Sequence, residues 1–430
     1  MLSRLIFIIL GLSTALVAAP PFESEPLVRV RIIHTMDTLN IQMDGSWKLK
    51  SGEDESLILP DSTILRVVYS NAKALLPGLT DQEFDHIMLS ATADTAQVQI
   101  EDVPYGVGWW WGGQEDRLYD GTIHIYPNED NHLSVTVHLP MEEYLKGVVP
   151  YEIGGDSPAE ALKAQAVAAR SEAVIALNSG FYGGAAHDLT SDVECQVFSG
   201  NHRRTTASDD AVEATRGLVI SEHGAVIHAF YSSNCGGRSS LIKNVWASRT
   251  QSESYQQSLP DNASRRGPKL HRNWRAKWWI KSSPKVYCNP FYQSSLPSWS
   301  QRNFRWSREF TILEISAMIT EDETLGHLRK IKALKRGESG KIIKAQFIFE
   351  NGSFEKEGEL TIRQLFSPSL RSSNFYVKKK GDTITLHGAG WGHGVGMCQS
   401  GAVAQASNGI TFDRILSHYY PASILLDIYK

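Results

Sequence analysis

Hydrophobic and polar positions alternate through Leu27-Val28-Arg29-Val30-Arg31-Ile32-Ile33, and that period of two predicts a strand. Shorter runs at Leu39–Met43 and Gln97–Ile100 continue the pattern and define a β-rich lead-in over 27–115. Two further alternating runs, Thr122–Tyr126 and Leu133–Val137, flank the turn-forming stretch Pro127-Asn128-Glu129-Asp130-Asn131 and predict a hairpin. The period then changes. Leu162, Ala166, Ala169, Ala173 and Leu177 recur at helical spacing on one narrow face of small residues. Ser157 suits the N-cap of that helix, Pro158 its first position and Glu160 the closing residue of a capping box, while Asn178-Ser179-Gly180 offers a stop. Beyond a polar, turn-rich insertion near 251–285, the runs 341–349 and 353–360 predict a hairpin around Asn351-Gly352. A strand follows at Thr383–His387 and a small-faced helix at Gln399–Ala406, ending near Asn408-Gly409. The expected architecture is α+β, with the helix containing the A-L-K-A-Q-A run packed into a largely antiparallel β framework.

The chain has 430 residues, 42% apolar and 21% charged, which is ordinary for a folded protein and excludes general disorder. Its formal net charge of -4 gives no general basis for binding nucleic acid. Basic residues cluster at Arg265-Arg266, Lys269, His271-Arg272 and Arg275-Ala276-Lys277, where a solvated loop and a polyanion-facing surface are both compatible with the pattern. At the N-terminus, Arg4, the apolar run Leu5–Leu12 and the small residues Ala15, Ala18 and Ala19 read as a signal peptide over 1–19. Pro20 disfavours cleavage after Ala19 and leaves the processing bond open. The run is too short for a span of about twenty residues, so no stable membrane span is expected after cleavage. Export to the periplasm, cell wall or exterior follows.

Glu152 is the first chemical candidate. It stands in Val148-Val149-Pro150-Tyr151-Glu152-Ile153-Gly154, just before the marked helix. A purely structural reading makes it a helix-approach carboxylate favoured by the N-terminal dipole. The run Ala161-Leu162-Lys163-Ala164-Gln165-Ala166-Val167-Ala168-Ala169-Arg170 after it is nearly letter for letter the helix motif of the SpoIID/LytB family, also called the stage II sporulation protein D or amidase-enhancer family. The resemblance extends to 139–147, Cys195–Gly200, Tyr231–Gly237 and Gly392–Ala402, and runs from about Gly121 to the C-terminus. The domain reading is therefore a signal at 1–19, a β-rich region at 27–115, and a SpoIID/LytB-like catalytic region at 120–430.

This resemblance implies action on bacterial peptidoglycan. Some members are lytic transglycosylases that cleave between N-acetylmuramic acid and N-acetylglucosamine, with a preference for strands stripped of stem peptides. Others enhance a cell-wall amidase, so a wall-binding module that recruits an amidase partner is the alternative. The family's catalytic Glu falls on Glu152 and its active-cleft Arg on Arg170, with Tyr231, His393, Gln399 and Tyr419 as further substrate-binding candidates. A transglycosylase needs no water nucleophile, and one carboxyl group can serve as acid and then base; near Glu152 the chain offers only Asp156 and Glu160 as neighbouring acids. A metal-dependent amidase is disfavoured because no H-E-x-x-H spacing exists.

Gly388–Met397 lacks the Lys-Ser/Thr ending of a phosphate loop and reads as a cleft wall, with Trp391 and His393 suited to a sugar ring. A structural turn is the plain alternative. Trp109-Trp110-Trp111 divides between core and glycan contact. Cys195, Cys235, Cys288 and Cys398 allow two disulfides in three connectivities. Some family members bind zinc through a His and two Cys before the Cys-Gln pair. Here only Cys195 fits, Thr190 stands where the earlier Cys would be, and His187 is displaced toward it, so that zinc site, and any cofactor, is not expected. A site rebuilt from His187, Cys195 and Cys235, a Cys195–Cys235 disulfide, and buried free thiols remain open.

Overall fold

The computed structural model describes residues 22–51, 55–107, 112–246 and 252–429. The signal segment 1–19 and Trp109–Trp111 lie outside the described residues. The alternating N-terminal run forms the strand Leu27–Met36, whose buried residues Val28, Val30, Ile32 and Ile33 face a core. It pairs antiparallel with Leu133–Pro140, which pairs in turn with Thr122–Pro127. These strands sit within a seven-stranded sheet that also contains Ile87–Ala91, Trp47–Ser51, Glu55–Leu59 and Leu189–Thr190. A six-stranded antiparallel sheet built from Thr38–Asp44, Gln97–Tyr105 and their neighbours belongs to the same lead-in. Strands from before residue 115 and after residue 120 thus share one sheet and one hydrophobic core.

Two helices follow directly, α1 (Met141–Ile153) and α2 (Ala159–Ser179). The capping box expected at Ser157 is not formed: Pro158 occupies the cap, Ser157 Oγ donates back to the Ile153 carbonyl (2.7 Å), and Glu160 bonds Lys163 and the Phe412 amide. Gly180 ends α2 in the left-handed conformation (φ 62°). Burial on α2 is wider than one narrow face. Leu162, Ala166, Ala169 and Ala173 join the β-sheet core, while Ala164, Val167 and Ala168 join a second core with Phe230, Cys288, Met397 and Tyr420. Small side chains on both sides let α2 run between the two cores, which is why its sequence lacks an ordinary amphipathic stripe.

The segment 252–304 contributes Tyr255, Leu270, Trp279, Val286, Cys288 and Phe304 to that second core, so its polar composition marks turns over a packed interior. A third core lies among the strands Arg305–Thr311, Leu328–Arg336, Ile342–Phe349, Phe375–Lys380 and Thr383–Ala389 and their two helices. The expected hairpin there is present, Ile342–Phe349 pairing with Ser353–Glu357. The fold is α+β with mostly antiparallel sheets.

Candidate active site

Glu152 lies in the last turn of α1, which closes on Gly154 (φ 86°). The sequence reading set this carboxylate beside a helix N-terminus; the structure sets it at a C-terminal end, where the dipole disfavours negative charge. Gly147 and Pro150 are both buried inside α1. The Cys195–Gly200 stretch packs against this helix: Phe198 contacts the Tyr144 ring at 5.3 Å, Ser199 Oγ donates to the Gly147 carbonyl, and the Val197 amide donates to Glu152 Oε1 at 3.1 Å. A Cβ at Gly147 would stand 2.5 Å from the Phe198 ring, so the close approach requires glycine.

Glu152 opens into a cleft of about 570 Å³. Tyr231, His393 and Gln399 line it as well, so four of the six residues expected to form the site converge there. The Tyr231 hydroxyl donates to Gln196 Oε1 (2.7 Å), and Gln399 Nε2 donates to the main-chain carbonyl of Glu152 (2.9 Å). Burial pushes the Glu152 carboxyl up to about 7, against the opposing pull of hydrogen bonds from Val197, Gln399 and Tyr231. Such a group holds and releases a proton near neutrality.

The opposite wall is the glycine run. Its backbone enters by a reciprocal pair of hydrogen bonds between Asn234 and Trp391 (2.8 and 3.1 Å). At Gly396 (φ 71°) a Cβ would stand 1.9 Å from the Phe230 carbonyl oxygen, so only glycine fits. The wall therefore combines a tight structural turn with direct exposure of Trp391, Gly392 and His393 to the cleft. His393 Nδ1 accepts from the Val395 amide (3.1 Å), its ring lies 4.8 Å from that of Trp246, and burial holds its pKa down at about 4. Trp246 and Trp299 line the same cleft and were not singled out in the sequence, because an isolated Trp carries no spacing signal.

Two further carboxylates, Glu172 and Glu194, also line the cleft. Glu172, on α2, bonds His228 Nδ1 at 3.1 Å, and Glu194 is exposed. Neither is near Glu152 in sequence.

The remaining two expected residues lie elsewhere. Arg170 is fully buried against Glu142, with Nε to Oε1 at 2.9 Å and Nη2 to Oε2 at 2.5 Å, and its other donors reach the Leu218 and Val212 carbonyls. Its fork is thereby consumed inside the core. Tyr419 is buried on the far side of the glycine run, its hydroxyl donating to Asp261 Oδ1 (2.7 Å). All four cysteines are free thiols; Cys195 lines the cleft, so the Cys195–Cys235 disulfide is not formed. Cys235, Cys288 and Cys398 gather instead around Asp261. His187 is not part of that group.

This geometry, a half-buried Glu at a helix end facing a glycine-rich wall, belongs to a segment with known relatives. Residues 129–221 match the family model described as Stage II sporulation protein, SpoIID, the family that the motifs resemble. Residues 241–396 match a domain of unknown function, DUF8618. An uncharacterized protein of Brachyspira hyodysenteriae is 28% identical over 410 residues, 94% of each chain. The protein named Amidase enhancer in Bacillus subtilis is 29% identical over 300 residues, 65% of this chain but 40% of that longer protein. Stage II sporulation protein D of Bacillus amyloliquefaciens is 28% identical over 322 residues, 72% of this chain and 80% of the relative.

Proposed function

We propose that the protein is a peptidoglycan lytic transglycosylase with Glu152 as its acid and base. The observation that carries this reading is the Glu152 carboxyl itself, desolvated to a pKa of about 7 at the floor of a cleft with aromatic walls. In the first half of the reaction Glu152 gives its proton to the glycosidic oxygen as the bond from C1 of N-acetylmuramic acid breaks, and N-acetylglucosamine leaves with a free 4-hydroxyl. In the second half the C6 hydroxyl of the same muramic acid attacks C1, Glu152 takes back the proton, and a 1,6-anhydro ring closes. Trp246, Trp299 and Trp391 offer faces for sugar rings. Relatives named for sporulation and for amidase enhancement support a role at the cell wall and, with it, an exported location. No helix among the described residues is long and apolar enough to cross a membrane.

The name Amidase enhancer favours a second reading, a wall-binding module that recruits or activates an amidase without cutting. Glu172 and Glu194 add a third product to exclude, since a second carboxylate could activate water. Mass spectrometry of peptidoglycan strands, intact and stripped of stem peptides, separates all three. Wild type should release products ending in 1,6-anhydro-muramic acid, and Glu152→Gln should not. Products heavier by one water would mean hydrolysis, and binding without cleavage by both proteins would mean the recruiting module.

A further inference from the structure

Three thiols and one carboxylate from distant stretches of chain meet at one buried point. Cys235 follows the short strand Tyr231–Ser232, Asp261 and Cys288 come from the segment 252–304, and Cys398 directly precedes the helix Gln399–Ser407. All four side chains are buried, and one ligand atom from each lies within 4.8 Å of the others. Cys235 Sγ and Cys288 Sγ stand 3.8 Å apart. A disulfide needs about 2.05 Å, whereas sulfurs bound at about 2.3 Å to one tetrahedral ion sit about 3.8 Å apart.

The surroundings hold the four groups in place. The Cys235 amide donates to Cys398 Sγ (3.2 Å), the Cys288 amide to Asp261 Oδ2 (2.9 Å), and the Tyr419 hydroxyl to Asp261 Oδ1 (2.7 Å). Gly401 is small where a Cβ would stand 2.1 Å from the Tyr419 hydroxyl and 2.6 Å from Asp261 Oδ1. Gly236 and Gly237, both at positive φ (73° and 101°), turn the chain away immediately after Cys235. The guanidinium of Arg305 interacts electrostatically with Cys288 and Cys235 and supplies counter-charge. A small cavity of about 10 Å³ adjoins three of the four groups, Cys235, Asp261 and Cys398.

We propose that Cys235, Asp261, Cys288 and Cys398 bind one zinc ion as a closed, four-ligand structural centre. Binding displaces the three thiol protons to solvent and leaves no open position for substrate. The ion ties the segment 252–304 to both strands of chain that shape the far wall of the cleft. Cys398 is the neighbour of Gln399, the donor to Glu152, so the centre braces the wall without touching the reacting atoms. It shares Cys235 with the site rebuilt from His187, Cys195 and Cys235 but uses neither His187 nor Cys195.

The test uses the full chain purified under reducing conditions. Elemental analysis should find about one zinc per chain, and replacement by cobalt should produce the thiolate charge-transfer and strong d–d bands of tetrahedral coordination. Cys195→Ser should keep both signals. Cys288→Ser and Asp261→Asn should weaken metal affinity by about tenfold or more. If those variants fail to fold, the wild-type cobalt titration decides alone. Folded, reduced wild type that yields neither zinc nor thiolate–cobalt bands overturns the proposal. So does a metal-free, folded protein in which peptide mapping finds Cys235 and Cys288 joined as a disulfide. Both readouts are independent of glycan cleavage, so failure here leaves the proposed role of Glu152 standing.

Discussion

The side-chain amide of Gln399 donates to the main-chain carbonyl of Glu152 at 2.9 Å, joining residues 247 positions apart. The same amide also reaches Gln165 Oε1 at 3.2 Å, so one side chain links α1, α2 and the end of the glycine run. Gln399→Ala removes both bonds and leaves buried acceptors unpaired, at a cost of about 1–3 kcal/mol. Its expected signature is kcat lower by about tenfold with KM little changed, measured on peptide-free glycan strands, because Gln399 orients the helix end that carries Glu152. A rise in KM with kcat intact would assign Gln399 to substrate binding instead.

The raised pKa of Glu152 sets two pH dependences. As the proposed acid it must be protonated, so the cleavage rate should fall above about pH 7, approaching tenfold per pH unit. For stability the sign is also fixed. A folded pKa above the ordinary value of 4.5 means that folding is favoured below 4.5 and loses free energy as pH rises through about 7. Glu152→Gln, which keeps an acceptor for the Val197 amide, should therefore be more stable than wild type at alkaline pH by about 3 kcal/mol, and the difference should vanish in acid. Denaturant titrations of both proteins across this range check it.

Arg170 should behave as a core residue. Breaking its pair with Glu142, both side chains at or below 2% exposure, strands a buried carboxylate and should cost about 4 kcal/mol. Arg170→Lys should recover little, since an ammonium cannot span both carboxylate oxygens and two carbonyls at once. Chemical denaturation measures the loss. Glycan affinity of the folded fraction should stay at the wild-type value, the opposite of what a substrate-holding arginine predicts.

His393 should remain neutral throughout the working range. Burial depresses it to about 4, and the Val395 amide occupies Nδ1, which leaves the proton on Nε2 as a donor. Proton-detected NMR of the ring should find no titration between about pH 5 and 8. His393→Ala should weaken glycan binding while leaving the alkaline limb of the rate profile where Glu152 puts it.

Much of this arrangement is legible in the sequence because its elements announce themselves locally. The alternation at Leu27–Ile33, the turn between Thr122–Pro127 and Leu133–Pro140, and the small residues of α2 each imply their own geometry. What the sequence hides is set by tertiary contact. α1 contains Gly147 and Pro150, and Phe198 packs close over Gly147 in a contact that no local pattern encodes. Ser157 and Glu160 satisfy every local rule for a capping box, but a carbonyl of α1 and the amide of Phe412 claim them first. Arg170 carries the family's motif letter, yet its role depends on Glu142, 28 positions earlier on another helix. The cysteines are the extreme case, since Cys235, Cys288 and Cys398 are too far apart in sequence for any spacing rule to pair them.

The glycine wall has a consequence for timing. Ribosomes deliver Glu152 and its helix early, but Trp391 and His393 emerge only at the end of the segment matching the unknown domain, and Gln399 just after it. A nascent chain truncated before Trp391 lacks Trp391, Gly392, His393 and Gln399 of the cleft lining. The full lining of the cleft is thus assembled only from a chain made as far as Gln399, 247 residues beyond Glu152.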